Sequence, residues 1–466
     1  MPYESTSGDI TIALTGDAMI SRALKPFREP RFLKLRELLY AADARVTNGE
    51  MLFHNYEDWP TYLSRTYMRC DPRFIKDLQW LGINMMACAN NHGTDFGETG
   101  VLTNIRYLEA AEMVHAGSGE NYAAAVAPAY LDTPRGRVAL VSATSSGRPN
   151  SRAGEQRRDM KGRPGVNLIR WVNEWTVDRA AFEALSRIAA EFRWKQRPEA
   201  WWRRAYNFAA EDPNAVYFLD RNTLGVGSED PAARFVLGEG FERHTRAHRQ
   251  DLERNLQSVS EARRMADWVV FAMHNHEGGK SIDEPSDHVR ELAHAVIDAG
   301  ADLFIGHGPH LDRGIEIYNG KPILYSLGNF VIQNDTVLRL PHESMVAHGL
   351  GHENSPADLY DVRSAEDPRG KQAGDPHWQS AVATVSFSGK TLREVRLYPL
   401  EFGLGLPRGQ RGRPILAEGK AAREILERFQ RLCEPFQTGV EIRGEEGVIE
   451  IKKNAPGRGQ RANGMP

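Results

Sequence analysis

The sequence predicts an α/β protein whose strands run into polar loops at one edge of a sheet. Two apolar runs and the segment between them carry this reading. Ala301-Asp302-Leu303-Phe304-Ile305 reads as a buried strand and leads directly into Gly306-His307-Gly308-Pro309-His310. Trp268-Val269-Val270-Phe271-Ala272-Met273 ends in the same manner, in His274-Asn275-His276-Glu277. Between them Val289, Leu292, Ala293, Val296 and Ile297 recur at helical spacing, with Pro285 near the start and Gly300 at the C-terminal cap. Strand, crossover helix and strand form a βαβ unit with parallel neighbouring strands, so both histidine clusters fall on one edge. Ligands collect at the carboxyl edge of such a sheet because rigid elements hold the loops there.

The upstream elements repeat the pattern. Asp9 to Thr15 is a β-branched strand that stops at Gly16-Asp17, with Ser21 to Tyr40 helical behind it. Ala44 to Thr47 ends at Asn48-Gly49-Glu50, and Ile83 to Ala89 ends at Asn90-Asn91-His92-Gly93-Thr94-Asp95. From Ser146 to about Ser260 the chain is rich in Arg and Trp (Trp171, Trp175, Trp194, Trp201 and Trp202), and a mostly helical insertion is expected. Phe182, Leu185, Ile188, Ala189 and Phe192 mark one of its helices. Trp201-Trp202-Arg203-Arg204 is either a substrate wall or the packing face of the insertion, and the packing role is favoured. Pro341 to Pro376 is loop-like, the length of a lid or an interface arm. Gln379 to Phe387 and Leu392 to Leu400 read as two antiparallel strands about Ser388-Gly389-Lys390 that complete the second sheet. Ala417 to Cys433 is a terminal helix, Val440 to Ile451 a strand or hairpin, and Lys453 to Pro466 a tail expected to be mobile.

Five strand ends thus deliver carboxylate, amide oxygen and imidazole. That is a ligand set for one or two borderline divalent ions such as Zn²⁺, Mn²⁺ or Fe²⁺, and the lack of thiolates argues against a structural zinc site. Two ions about 3.5–4 Å apart clamp a tetrahedral transition state and generate a nucleophile near neutral pH, which points to hydrolysis. His54, His115, His244, His248, His288 and His294 are expected on the surface or on helix faces.

These residues resemble the poly-γ-glutamate capsule-synthesis (CapA-type) family. The resemblance rests on Gly16-Asp17, Asn48-Gly49-Glu50, Asn90-Asn91-His92, His274, the run from Ala299 through His307 and His310 to Glu316, and Lys321-Pro322-Ile323-Leu324-Tyr325-Ser326-Leu327-Gly328-Asn329-Phe330. It covers roughly residues 8–148 and 262–335. The family resembles a branch of the calcineurin-type metallophosphoesterases, which implies a metallophosphatase-like two-sheet sandwich flanked by helices (α/β/β/α). Residues 1–148 and 261–452 would be its two halves, with 149–260 inserted, 341–376 a loop region and 453–466 a tail. The resemblance implies Asp17 and His310 for one metal, Asn91, His274 and His307 for the other, and Glu50 as the bridging carboxylate. His92 would donate a proton to the leaving group, oriented by Asp95. Met19 stands where the superfamily has a ligand histidine, and Asn275-His276-Glu277 where the family often has Trp-Gly. His276 is therefore a further candidate ligand or substrate contact, and Gly328-Asn329-Phe330 a turn beneath the site.

The implied activity is metal-dependent hydrolysis of an amide, γ-glutamyl-type or otherwise carboxylate-bearing, on a small-molecule or peptide-like substrate. The alternatives are a phosphomonoesterase or phosphodiesterase, and a non-catalytic protein of poly-γ-glutamate assembly. The 59 basic and 62 acidic residues nearly cancel, so charge makes no case for nucleic acid. Three cysteines, Cys70, Cys88 and Cys433, cannot all pair and fit a reducing compartment. No segment approaches the ~20 apolar residues of a spanning helix, and a cytoplasmic, membrane-free enzyme is expected.

Overall fold

The computed structural model describes residues 8–62, 66–192, 204, 212–218, 233–364 and 375–451. Two sheets dominate it. In the larger, Asp9–Met19, Ala44–Gly49, Met85–Ala87 and Val114–Ala116 lie side by side and parallel. In the smaller, Gly136–Thr144, Trp268–His274, Leu303–His307 and Lys321–Leu324 do the same. Alternation along each strand decides the layers. Ile10, Ile12 and Leu14 share one apolar cluster with Leu140, Val270 and Ile305, so the sheets face each other across it. Ala13 and Met86 point outward onto Leu35, Leu39, Leu78 and Leu108 of the helices Pro30–Tyr40, Ile75–Leu81 and Gly97–Ala110. On the other side Val269, Phe271 and Phe304 meet Val289, Leu292 and Val296 of the expected crossover helix, Asp287–Asp298.

Register sets the strand ends shoulder to shoulder. His274 pairs with His307, and Asp17 with both Asn48 and Asn329. Irregular pairing on both sides of Asp17 breaks the alternation there, and Met19 falls in the outer apolar cluster.

Several expectations are corrected. Helix Pro30–Tyr40 is shorter than the 21–40 span expected, because Pro30 fits the first helical turn and opens it. Among its described residues the insertion is not mostly helical. Its described residues hold helices Arg179–Glu191 and Arg249–Met265 and a four-stranded sheet of Ala215–Phe218, Ala233–Leu237, Trp171–Val177 and Glu242–Ala247. Trp171-Val172-Asn173-Glu174-Trp175-Thr176-Val177 alternates with a period of two, a strand pattern hidden within an Arg- and Trp-rich composition. Trp194, Trp201, Trp202 and Arg203 lie outside the described residues.

The loop-like region carries two short helices, His342–Val346 and Pro356–Ser364, which bury Met345, Leu359 and Tyr360 together. The hairpin Gln379–Ser388 and Thr391–Glu401 joins the larger sheet, antiparallel to Asp9–Met19, and not the sheet of Trp268–His274. Helix Gly419–Cys433 and the hairpin Glu441–Arg443 and Glu446–Glu450 lie close to where they were expected. The tail lies outside the described residues. Among the described residues no helix is long and apolar enough to cross a membrane.

Candidate metal centre

Asp17, Glu50, His274 and His310 stand at the carboxyl ends of the parallel strands, all buried. Two groups of ligand atoms lie within 4.8 Å of one another: Asp17, Glu50 and His310, and Glu50, His274 and His276. Glu50 belongs to both, the position of a bridging carboxylate. His307, also buried, pairs with His274 across neighbouring strands, but its ligand atoms fall in neither group. Burying two carboxylates costs several kcal/mol each unless cations and hydrogen bonds compensate, and a divalent ion supplies that compensation.

Each histidine is aimed by its other nitrogen. His310 donates from Nδ1 to Asn329 Oδ1 (2.9 Å), and the Asn329 amide is itself oriented by donating to the His377 carbonyl (2.9 Å). That leaves His310 Nε2 as a lone pair, 3.6 Å from Glu50 Oε1. His307 donates from Nε2 to the Thr15 carbonyl (3.1 Å), and its buried Nδ1 has no hydrogen-bond partner. The Asn48 Nδ2 amide, which also donates to Asp17 Oδ1 (2.7 Å), donates to His274 Nδ1 (3.1 Å), so the neutral ring carries its proton on Nε2, 3.9 Å from Glu50 Oε1. Burial, reinforced by the neighbouring His276, His310, His307 and His92, holds His274 well below the ordinary histidine range. Burial likewise pushes His307 down to about 4, against the opposing pull of its Thr15 hydrogen bond. Both rings are therefore neutral at physiological pH, the ligand form. Asn91 Oδ1 is likewise buried and lacks a hydrogen-bond partner. Two such buried acceptors, His307 Nδ1 and Asn91 Oδ1, together with the two buried carboxylates of Asp17 and Glu50 fit a divalent metal.

Backbone geometry makes the convergence possible. A Cβ on Gly16 would meet the Gly328 carbonyl oxygen at 2.0 Å, so only glycine lets the two strands approach. Gly308 has φ 112° and donates its N–H to Asp17 Oδ2 (3.0 Å). His310 itself holds φ 59°, a conformation that side chains resist.

Beside the cluster, His92 Nδ1 lies 2.6 Å from Asp95 Oδ2, and Nε2 lies 3.9 Å from Glu50 Oε1. Asp95 is buried and also accepts the Met68 N–H (2.8 Å), which fixes its carboxylate. A cleft of about 730 Å³ opens over these groups, lined by Asn91, His92, His276, Arg148, Trp171 and Arg363 among others.

Sequence reasoning missed several contributors. Asn329, read as a turn residue, orients His310. Arg313 is buried and grips the loop after Trp268–His274, donating to Ile282 O (2.9 Å), Asn275 Oδ1 (2.7 Å) and Glu277 O (3.0 Å). Ser145 and Ser146 follow the strand Gly136–Thr144 and hold the Glu277 carboxylate (2.6 and 3.0 Å). The same strand-then-polar-loop pattern marks them in the sequence. Nothing local marks Arg363, which arrives on the helix Pro356–Ser364. Of the histidines expected at the surface or on helix faces, His54 and His248 are buried outside any helix, and His288 is buried on the helix Asp287–Asp298.

Residues 11–334 match the family described as "Bacterial capsule synthesis protein PGA_cap". An uncharacterized protein of Sinorhizobium fredii, y4uA, is 34% identical, covering 95% of this chain and 93% of that one. The PGA biosynthesis protein CapA of Bacillus subtilis is 40% identical over 114 residues, 23% of this chain and 29% of that one. A probable polyglutamine synthesis accessory protein of Mycobacterium tuberculosis is 28% identical over 266 residues, 56% of this chain and 49% of that one. With a match that spans most of the chain and includes every strand end that builds the cluster, the protein belongs to the bacterial capsule synthesis (PGA_cap) family.

Proposed function

We propose that this protein is a metal-dependent hydrolase with a metallophosphatase-like sandwich fold, acting in the cytoplasm on an amide whose substrate carries a carboxylate. The observation that carries the reading is the sharing of Glu50 by two ligand groups beside the His92 and Asp95 pair, which with Asn91 and His276 lines a cleft. Asp17, Glu50 and His310 would hold one ion, and Asn91, His274 and His307 a second that Glu50 bridges. Such ions supply Lewis-acid polarisation and a nucleophile near neutral pH. His92, held at Nδ1 by Asp95, carries the proton at Nε2 to the departing group. Arg148 and Arg363 on the cleft wall suit a carboxylate, since a planar guanidinium matches it with two hydrogen bonds.

Two other readings have support. The ligand pattern also suits a phosphoester, and the Mycobacterium relative is named an accessory protein. Metal-stripped protein reloaded with Zn²⁺, Mn²⁺ or Fe²⁺ is assayed on γ-glutamyl amides and on p-nitrophenyl phosphate mono- and diesters. Metal-dependent release of amine is the expected result. Turnover of the phosphoesters alone would assign phosphoesterase chemistry, and metal-loaded protein inert on both classes would favour the accessory role.

A further inference from the structure

The loop after Trp268–His274 places a nitrogen at the centre that the ligand set above does not include. We propose that His276 is a metal ligand, completing with His274 and Glu50 the shell of one borderline divalent ion; this rests on the proposed metal centre. Its ligand atom lies within 4.8 Å of those of His274 and Glu50. Two ligands of one ion with metal–nitrogen distances of about 2.0–2.1 Å lie about 3–4 Å apart, so a small closure of the rings onto the ion completes the contact. The ring stands edge-on to His274 at 5.0 Å and to His310 at 5.7 Å between centroids, so three imidazoles surround one space.

The loop is built to hold this geometry. His274 and His276 bring their rings within 5.0 Å of each other, while Asn275 between them is turned to Arg313. Arg313 then grips Asn275 Oδ1 (2.7 Å), and the His276 N–H donates to Ser146 Oγ (2.6 Å). Glu277 is kept out of the centre by Ser145 and Ser146, so the loop offers the imidazole and withholds the neighbouring carboxylate. Met19, two residues beyond Asp17, packs in the outer apolar cluster and contributes no polar atom. His276 also lines the cleft, so an ion it holds faces substrate directly.

The test is Co²⁺ titration of the metal-stripped full chain, wild type against His276→Ala and His276→Gln, read by the visible d–d bands and the dissociation constant. Thermal unfolding of the metal-free forms serves as the folding control. Both variants are expected to bind Co²⁺ about tenfold or more weakly, with altered bands. Unchanged affinity and bands would overturn the proposal, and a rise in KM with intact metal binding would make His276 a substrate contact instead. Should the variants fail to fold, Zn²⁺ titration of wild-type protein carrying ¹⁵N-histidine decides the matter. Five imidazoles shifting on saturation would include His276, and only the four of His92, His274, His307 and His310 or fewer would exclude it. Wild type that takes up no ion would sink the metal centre as a whole, an outcome distinct from wild type and variants binding alike.

Discussion

At the scale of single residues, the proposed mechanism separates groups that would hold metal from the pair that would move protons. His92 faces Glu50 Oε1 at 3.9 Å but is fastened to Asp95, so His92→Ala should lower kcat by on the order of 10²–10⁴-fold while metal content by elemental analysis stays at the wild-type value. His274→Ala or His307→Ala should remove turnover and metal together. Asn329→Ala takes away the acceptor that fixes His310 Nδ1, and metal affinity should fall about 10–100-fold in a chelator competition, although Asn329 touches no ion. Equal affinity in that variant would show that His310 is oriented by something else. Asn329 also shows where residue-level reading of the sequence stopped. Gly-Asn within Leu327-Gly328-Asn329-Phe330 carries a turn signal, and only the fold reveals that the amide reaches a histidine 19 residues upstream.

Among elements, the loop 274–277 depends on Arg313. Three hydrogen bonds to that loop and its neighbour come from one buried guanidinium, whose pKa burial pushes down to about 10. Arg313→Ala should cost about 3 kcal/mol in urea unfolding, because it strands the buried Asn275 amide oxygen and the Glu277 carbonyl. A change below 0.5 kcal/mol would mean that water replaces the clamp at no cost. The helices of 342–364 deliver Arg363 to the cleft, so Arg363→Ala should raise KM for a carboxylate-bearing substrate with little change in kcat. Strand ends were legible because apolar periodicity is local. The insertion's sheet was not, since the Trp171–Val177 strand pairs with Ala233–Leu237 and Glu242–Ala247 more than 50 residues further along.

For the whole molecule, buried histidines couple folding to pH. Burial lowers His54 and His248 to about 4 and His288 to about 3, from 6.5 in an unfolded chain. The unfolded chain therefore binds more protons in this window. Their contribution is intact above pH 6.5 and is lost as pH falls toward 4 and then 3. Calorimetry of the metal-free protein should show Tm falling steadily from pH 6.5 to 4, and a flat profile would contradict the buried neutral state. A metal bound at the proposed centre would add a second linkage. At 100 times its dissociation constant an ion that binds only the folded form stabilises by about 2.7 kcal/mol, so chelation should lower Tm measurably at pH 7.5.

The sequence by itself determined which residues stand at the strand ends, the crossover helix Asp287–Asp298 and the terminal helix Gly419–Cys433, because hydrophobic period and stop signals act within a few residues. It also named Asp17, Glu50, Asn91, His274, His307 and His310 as one candidate set, since parallel strands place their carboxyl ends together. Only the tertiary structure decided that His276 joins His274 and Glu50 in one ligand group, that Asn329 aims His310, and that the hairpin 379–401 joins the sheet of Asp9–Met19. Those outcomes depend on contacts between segments tens to hundreds of residues apart, where the sheet a strand joins and the direction a polar side chain faces are fixed by packing, not by any local pattern.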